Sequence, residues 1–197
     1  RLFIAKNLPE YQHKEMPASP NKAMHMARED HDRLVCFGGL NKNEEREKFL
    51  TFSQPYLYSY PNHLVVKKGN DSIQKLANPD GTLSLTKLLE GGRVLSVAKA
   101  RSYSSEIDAI LASYTGENLI YPPSGNISHS YLRQVLHGRV DATIDYPANI
   151  NYFASIEEKL DAESFVTYPI AEDDDMVQVH FACSKAHANT DDVIAKI

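Results

Sequence analysis

The sequence lacks any apolar run that approaches the roughly 20 residues a helix needs to cross a bilayer. It also lacks an arm rich in lysine and arginine, and its formal net charge is −5. Recognition of a nucleic-acid backbone requires a concentrated basic face. We therefore expect neither direct membrane insertion nor a nucleic-acid partner.

Common catalytic and metal-binding motifs are absent as well. There is no GxSxG nucleophile motif, no CxxC pair, and no HxxxH or HExxH spacing among the eight histidines. A zinc site built on helical histidines requires such spacing. We therefore expect no cofactor, no metal and no catalysis.

Only two cysteines are present, and they lie far apart in the sequence. Cys36 and Cys183 each belong to a strand-like apolar run, LVCFGG and VQVHFACSK. They are either two buried free thiols or one disulfide in an exported protein. The residues by themselves leave both alternatives open.

What is present predicts an α/β protein. The chain has 197 residues, of which 42% are hydrophobic, enough for one large or two small domains. Helical patterns cover 21–30, 104–114 and 128–137, extended patterns cover 34–37, 49–66 and 117–121, and residues 67–82 are predicted as a loop. Alternating helices and short buried strands favour mostly parallel sheets.

Three stretches carry a resemblance to a known family. Residues 38–56, GGLNKNEEREKFLTFSQPY, resemble a G-hydrophobic-T-x-T-x-x-R…F-S-x-P-Y segment of the periplasmic solute-binding proteins of family 3, the polar amino acid binders. Residues 136–153, LHGRVDATIDYPANINYF, are similar to that family's GRxDA…D…NxxYF region. Residues 90–108 lie where the family has an L-x-G-K-x-V-G-V-x-x-G-T segment.

The resemblance implies a two-lobe, type II periplasmic-binding-protein-like α/β fold. Residues 1–62 and 168–197 would form lobe I, and residues 63–167 would form lobe II. Each lobe would be a mostly parallel sheet flanked by helices, and two hinge strands would join the lobes. The family's first strand and helix have no counterpart here, so lobe I would be incomplete at its N-terminal side, and another chain could complete it.

The resemblance also implies ligand-binding residues in the first lobe. The glycine that contributes its backbone falls on Gly39, and the polar residue two positions later falls on Asn41. The family's arginine falls on Arg46. A guanidinium binds a carboxylate with two parallel hydrogen bonds, which lysine cannot do.

In the second lobe the corresponding loop falls on Ala100, Arg101, Ser102 and Tyr103. Arg101 adds a second cation and so favours a ligand with more than one anionic group. The family carboxylate that holds an amino acid's ammonium falls on Tyr146, next to Asp145. Neighbouring strand residues point to opposite faces, so Asp145 can replace that carboxylate only if the strand ends or bulges there, as Pro147 would allow.

The function implied by the resemblance is extracytoplasmic, periplasmic capture of a small polar solute, anionic or amino-acid-like. Such proteins deliver the solute to the permease of an ABC transporter. One alternative is a ligand-sensing domain that works with a membrane-bound signalling partner. Another is an enzyme on the same scaffold, with Asp145 as the only candidate base.

Overall fold

A computed structural model describes residues 6–99, 101–122, 127–157, 160–173 and 175–197. The described elements, in chain order, are α1 (Pro20–Glu29), β1 (Cys36–Asn41), α2 (Glu44–Glu47), β2 (Leu50–Ser59), β3 (His63–Lys67), α3 (Asp71–Gln74), α4 (Leu85–Glu90), β4 (Leu95–Ser96), α5 (Ser105–Ser113), β5 (Leu119–Ile120), α6 (Ile127–Leu136), β6 (Ala142–Asp145), α7 (Pro147–Ile156), a 3₁₀ turn (Ala162–Ser164), β7 (Phe165–Pro169), β8 (Val177–Ser184) and α8 (Thr190–Lys196).

The chain divides into two compact units, Arg1–Ser59 with Val177–Ile197, and Tyr60–Met176. The sequence predicts the boundaries between the two lobes after residue 62 and after residue 167. The second bound differs because β7 pairs with β3 from Phe165 to Pro169, which keeps β7 in the second unit. The predicted extended run 49–66 is two strands, since β2 pairs in the first unit and β3 in the second.

The first unit is built on an antiparallel sheet with strand order β1-β8-β2. Successive residues of β8 point to opposite faces. Ala182 packs with Ala27 of α1 and Leu50 of β2, and Cys183 packs with Val193 of α8. The expectation of a mostly parallel sheet is therefore wrong for the described strands of this unit, because β8 lies between β1 and β2 and runs against both.

The second unit contains a mixed sheet with strand order β5-β4-β6-β3-β7. Strands β5, β4 and β6 are parallel, and β3 is antiparallel to both β6 and β7. Both faces of β3 are covered. Leu64 and Val66 belong to the core beneath α4 and α5, and Val65 belongs to the core beneath α6 and α7. This double burial explains the continuous apolar run LVV at residues 64–66.

The ends of helix α4 agree with its sequence pattern. Ser84 is the N-cap, and its hydroxyl accepts the N–H of Lys87 at 3.1 Å. Gly91 ends the helix, and Gly92 follows with a φ of +71°. A residue missed from the sequence lies at the N-terminal end of α4. It is Glu172, whose carboxylate accepts the N–H groups of Leu85 and Thr86 at 2.9 and 3.0 Å.

Cys36 and Cys183 form a disulfide across β1 and β8. They are directly paired in the antiparallel register, at a sequence separation of 147. The bond ties the edge strand β1 to the strand that returns from the C-terminal part of the chain.

Reduction should therefore destabilise the first unit. Cross-linking a loop of this length restricts the unfolded chain, and loss of a native disulfide typically costs about 2–5 kcal/mol. Chemical denaturation with and without a reductant measures the difference. The Cys36→Ser/Cys183→Ser double variant should match the reduced protein and be insensitive to reductant. Two titratable thiols in the denatured, non-reduced protein would contradict the bond.

Glu172 should make stability depend on acidity. Burial raises the pKa of its carboxyl, but the hydrogen bonds from Ser84, Thr86 and Leu85 outweigh burial, so its pKa lies below the usual value. This stabilisation is complete above the unfolded-state pKa and is lost as the pH falls through the lower folded-state pKa. Glu172→Gln should lower the free energy of unfolding by about 1–2 kcal/mol near neutral pH, with the difference vanishing only once the pH falls below the lowered folded-state pKa. Denaturation at several pH values tests this, and a difference independent of pH would contradict it.

Candidate functional site

The short helix α2, between β1 and β2, carries the first group of predicted site residues. Asn43 caps α2, since its Oδ1 accepts the N–H of Arg46 at 2.9 Å. The guanidinium Nη1 of Arg46 donates to the carbonyl oxygen of Asn41 at 2.6 Å. The structure thus brings Asn41 and Arg46 together, with the backbone of Asn41 as the acceptor.

The glutamates beside Arg46 have other cationic partners. Glu45 pairs with Lys48 and, at 3.2 Å, with Arg28. Glu47 pairs with Lys42 at 2.9 Å. The charged turn is therefore a small network in which these neighbouring carboxylates are already compensated, and Arg46 itself is half-buried.

Gly39 lies at an irregularity of β1. The register between β1 and β8 shifts between Phe37 and Leu40, and Gly39 has a φ of +80°. Side chains with a Cβ rarely adopt this conformation, and a glycine at a bulge is the usual solution. The residue is exposed, so its backbone is open to solvent in the first unit.

The second group of predicted site residues lies in the second unit, where the parallel strands β4 and β6 end. We use "crown" for Asn62, Arg101, Ser102, Tyr103, Tyr131, Asp145 and Tyr146. Strand β6 ends at Asp145, Tyr146 is the N-cap of α7, and Pro147 is its first residue. The carboxyl ends of parallel strands are common ligand sites in α/β proteins.

The central interaction of the crown is an ion pair. The Nη1 of Arg101 lies 3.0 Å from the Oδ1 of Asp145, and its Nη2 lies 3.2 Å from the Oδ1 of Asn62. The side chain of Arg101 is 19% exposed and that of Asp145 is 2% exposed. Burial lowers the pKa of Arg101, but Asp145, Tyr103 and Tyr146 together outweigh burial and the net shift is upward.

Aromatic rings flank this guanidinium. Its Cζ lies 4.9 Å from the ring centre of Tyr103 and 5.0 Å from that of Tyr146. A cation within about 6 Å of a ring centre is attracted by the ring's quadrupole. The charge of Arg101 is thus compensated by one carboxylate and two rings.

Ser102 and Tyr103 are held by local hydrogen bonds. The hydroxyl of Ser102 donates to Oδ2 of Asp108 at 2.6 Å, and the N–H of Tyr103 donates to Oδ1 at 2.9 Å. The hydroxyl of Tyr103 accepts the N–H of Ala98 at 3.0 Å. Burial raises the pKa of Tyr103. These contacts fix the loop that presents Arg101, while Ala100 lies outside the described residues.

Two crown residues were missed from the sequence. Asn62 is fully buried, and its Nδ2 donates to the carbonyl oxygen of Tyr103 at 3.1 Å. Tyr131 on α6 is 3% exposed, and its hydroxyl has no hydrogen-bond partner among the described residues. Burial raises the pKa of Tyr131, against the opposing charge of Arg101. No local motif marks either residue, because only the tertiary fold brings them to Arg101.

The described ranges contain no group of three or more histidine, cysteine, aspartate or glutamate side chains able to hold a metal ion. No helix within them combines the length and the apolar character that crossing a membrane requires.

Comparisons with solved structures show the type II periplasmic-binding-protein fold. Holo ArgBP from T. maritima is similar with a TM-score of 0.67 and 16% identity, over 99% of this chain and 75% of that one. The substrate binding protein of an amino acid ABC transporter gives 0.64 and 16%, over 97% and 74%. The ancestral amino acid-binding protein AncCDT-1, a precursor of cyclohexadienyl dehydratase, gives 0.64 and 17%, over 99% and 74%.

No family model and no curated protein matches the chain. At identities of 16–17% the structural likenesses establish the fold that the sequence motifs predicted. About a quarter of each neighbour's chain has no counterpart here. The absence of the family's first strand and helix stays a prediction.

Removing one partner of the crown's ion pair should lower the free energy of unfolding more than replacing both partners with apolar residues. Asp145→Ala leaves Arg101 buried without its carboxylate, which typically costs about 3–5 kcal/mol. The double variant Arg101→Met/Asp145→Leu removes both charges and should be closer to wild type than the single variant. Free energies of unfolding from chemical denaturation test this order.

Tyr131→Phe is the matched control within the crown. It removes a hydroxyl that has no partner among the described residues, so it should leave stability unchanged or raise it by about 1 kcal/mol. A loss as large as that of Asp145→Ala would show that stability responds to any change in the crown. The ion pair would then not be the main determinant of the crown's contribution to stability.

Proposed function

We propose that this chain is the ligand-binding part of an extracytoplasmic solute-binding protein that captures a small polar solute. The observation that carries the proposal is the fold, which extends over 97–99% of the chain and is shared with proteins whose names describe amino acid binding. Delivery to the permease of an ABC transporter is the role that this fold and the sequence motifs favour.

In this proposal Arg46 of the first unit binds the solute's carboxylate. Its Nη1 donates to the carbonyl of Asn41, which orients the planar guanidinium. A guanidinium, unlike a lysine ammonium, can form a paired contact with both oxygens of a carboxylate. Gly39 and Asn41 belong to the same segment and would contribute backbone groups.

The crown is the candidate binding group of the second unit. Asp145 compensates Arg101, so the crown does not support the expectation that Arg101 supplies a second free cation for a ligand with several anionic groups. The hydrogen bonds described at Asp145 all end on Oδ1. Because Asp145 already neutralises Arg101, the crown offers no uncompensated positive charge to a second carboxylate, and a solute with a single carboxylate is favoured over a dicarboxylate.

The disulfide supports an oxidising, extracytoplasmic location. A sensor domain of a membrane-bound signalling protein would share every feature above. A transmembrane segment elsewhere in the same gene product would favour that alternative.

An enzyme on this scaffold is the weaker alternative, although one neighbour is described as a precursor of a dehydratase. Asp145 is the candidate base predicted from the sequence. Its Oδ1 accepts from Arg101, from the N–H of Tyr146 at 2.8 Å and from Nδ2 of Asn149 at 2.7 Å. These donors hold the carboxylate as a structural acceptor, and turnover of a bound solute would be needed to favour catalysis.

A thermal-shift screen with amino acids, dicarboxylates and amines tests the proposal. A solute that binds only the folded state stabilises it by about 2.7 kcal/mol at 100 times its Kd. Singly carboxylated amino acids should raise the unfolding midpoint, and dicarboxylates should raise it less. Arg46→Ala should abolish the shift, measured against that variant's own ligand-free midpoint.

His25→Ala is the control, because His25 lies on α1 in an exposed position. It should keep the full shift. Arg46→Lys separates charge from geometry, since a lysine cannot form the paired contact and should lose most of the shift. A full shift in Arg46→Ala, or no stabilising solute in any class, would refute the proposed binding mode.

A further inference from the structure

The crown surrounds the guanidinium of Arg101 with the groups that proteins use to bind a guanidinium ligand. A carboxylate and an amide oxygen accept its N–H groups at 3.0 and 3.2 Å. The rings of Tyr103 and Tyr146 lie 4.9 and 5.0 Å from its Cζ. Charged acceptors combined with aromatic faces are the usual recognition chemistry for a planar cation.

The groups around this guanidinium are fixed by bonds that do not involve Arg101. Asn62 donates to the backbone of Tyr103 at 3.1 Å, and the Tyr103 hydroxyl accepts from Ala98 at 3.0 Å. Asp145 accepts from the N–H of Tyr146 and from Asn149. The surrounding cage therefore does not depend on its occupant for its shape.

We propose that Asn62, Tyr103, Asp145 and Tyr146 form a guanidinium site that the chain's own Arg101 occupies. Arg101 thereby excludes solutes that would place a cation in this cage, and it is a specificity-determining residue. The part of this inference that concerns which solutes are excluded rests on the proposed function. The existence of the cage does not rest on it.

Removal of the occupant should convert the cage into a site for a free cation. In Arg101→Ala, Asp145 becomes a buried carboxylate without its ion-pair partner, next to the space that the guanidinium filled. Guanidinium or methylguanidinium chloride, at millimolar concentrations far below those that denature proteins, should raise the variant's unfolding midpoint in proportion to the logarithm of its concentration above Kd. For a protein of this size the rise should be about 3–5 °C per tenfold excess over Kd.

Matched samples separate this effect from general salt effects. Sodium chloride at equal ionic strength and urea at equal concentration should not raise the midpoint of Arg101→Ala. Wild type should show no rise with guanidinium. Arg139→Ala, which removes an exposed arginine of the same unit, should show none either. The double variant Arg101→Ala/Asp145→Ala lacks the carboxylate and should lose the response.

The outcomes are decisive in both directions. Logarithmic stabilisation of Arg101→Ala alone, or refolding of that variant only in the presence of guanidinium, supports the cage. No response, the same response in the double variant, or failure to refold with either salt overturns it, because the groups of the cage are held by their own bonds. If the wild-type solute screen fails while this response is present, the proposed function fails and the cage stands.

Discussion

The pairing of β8 with both β1 and β2 is the constraint on which the first unit depends. The strand comes from the last part of the chain and lies between two strands from the first part, with Ala182 and Cys183 filling the cores on its two faces. The disulfide fixes this register at one position. The turn that carries Arg46 joins the two strands that β8 holds, so its place in the unit follows from that pairing.

The Arg101–Asp145 ion pair has the corresponding role for the second unit's candidate site. Two charges that are almost removed from water stabilise a structure only when each is fully compensated, and here Asn62, Asn149 and two tyrosine rings complete the compensation. The same pair changes the chemistry expected of the site. A cation that is already neutralised binds an anionic solute less strongly than the bare arginine suggested by the sequence.

Much of the fold was predictable because it follows from local patterns. The run LVV at residues 64–66 is apolar throughout because β3 is buried on both faces, and the end of β6 at Asp145 follows from Pro147, which opens α7. Strand direction in the first unit was mispredicted because no local pattern encodes which distant strand becomes a neighbour. Asn62 and Tyr131 were missed for the same reason, since each reaches Arg101 only through the sheet and helix packing of the second unit.

The sequence by itself determined the two-unit α/β class, and its three motif segments predicted the fold that the comparisons show. These features depend on residues close together in the chain, whose spacing fixes backbone conformation and burial. Only the tertiary structure decided that Cys36 meets Cys183 and that Asp145 neutralises Arg101. Both are contacts between distant residues, and their energies depend on distance and on the exclusion of water, which sequence spacing does not specify.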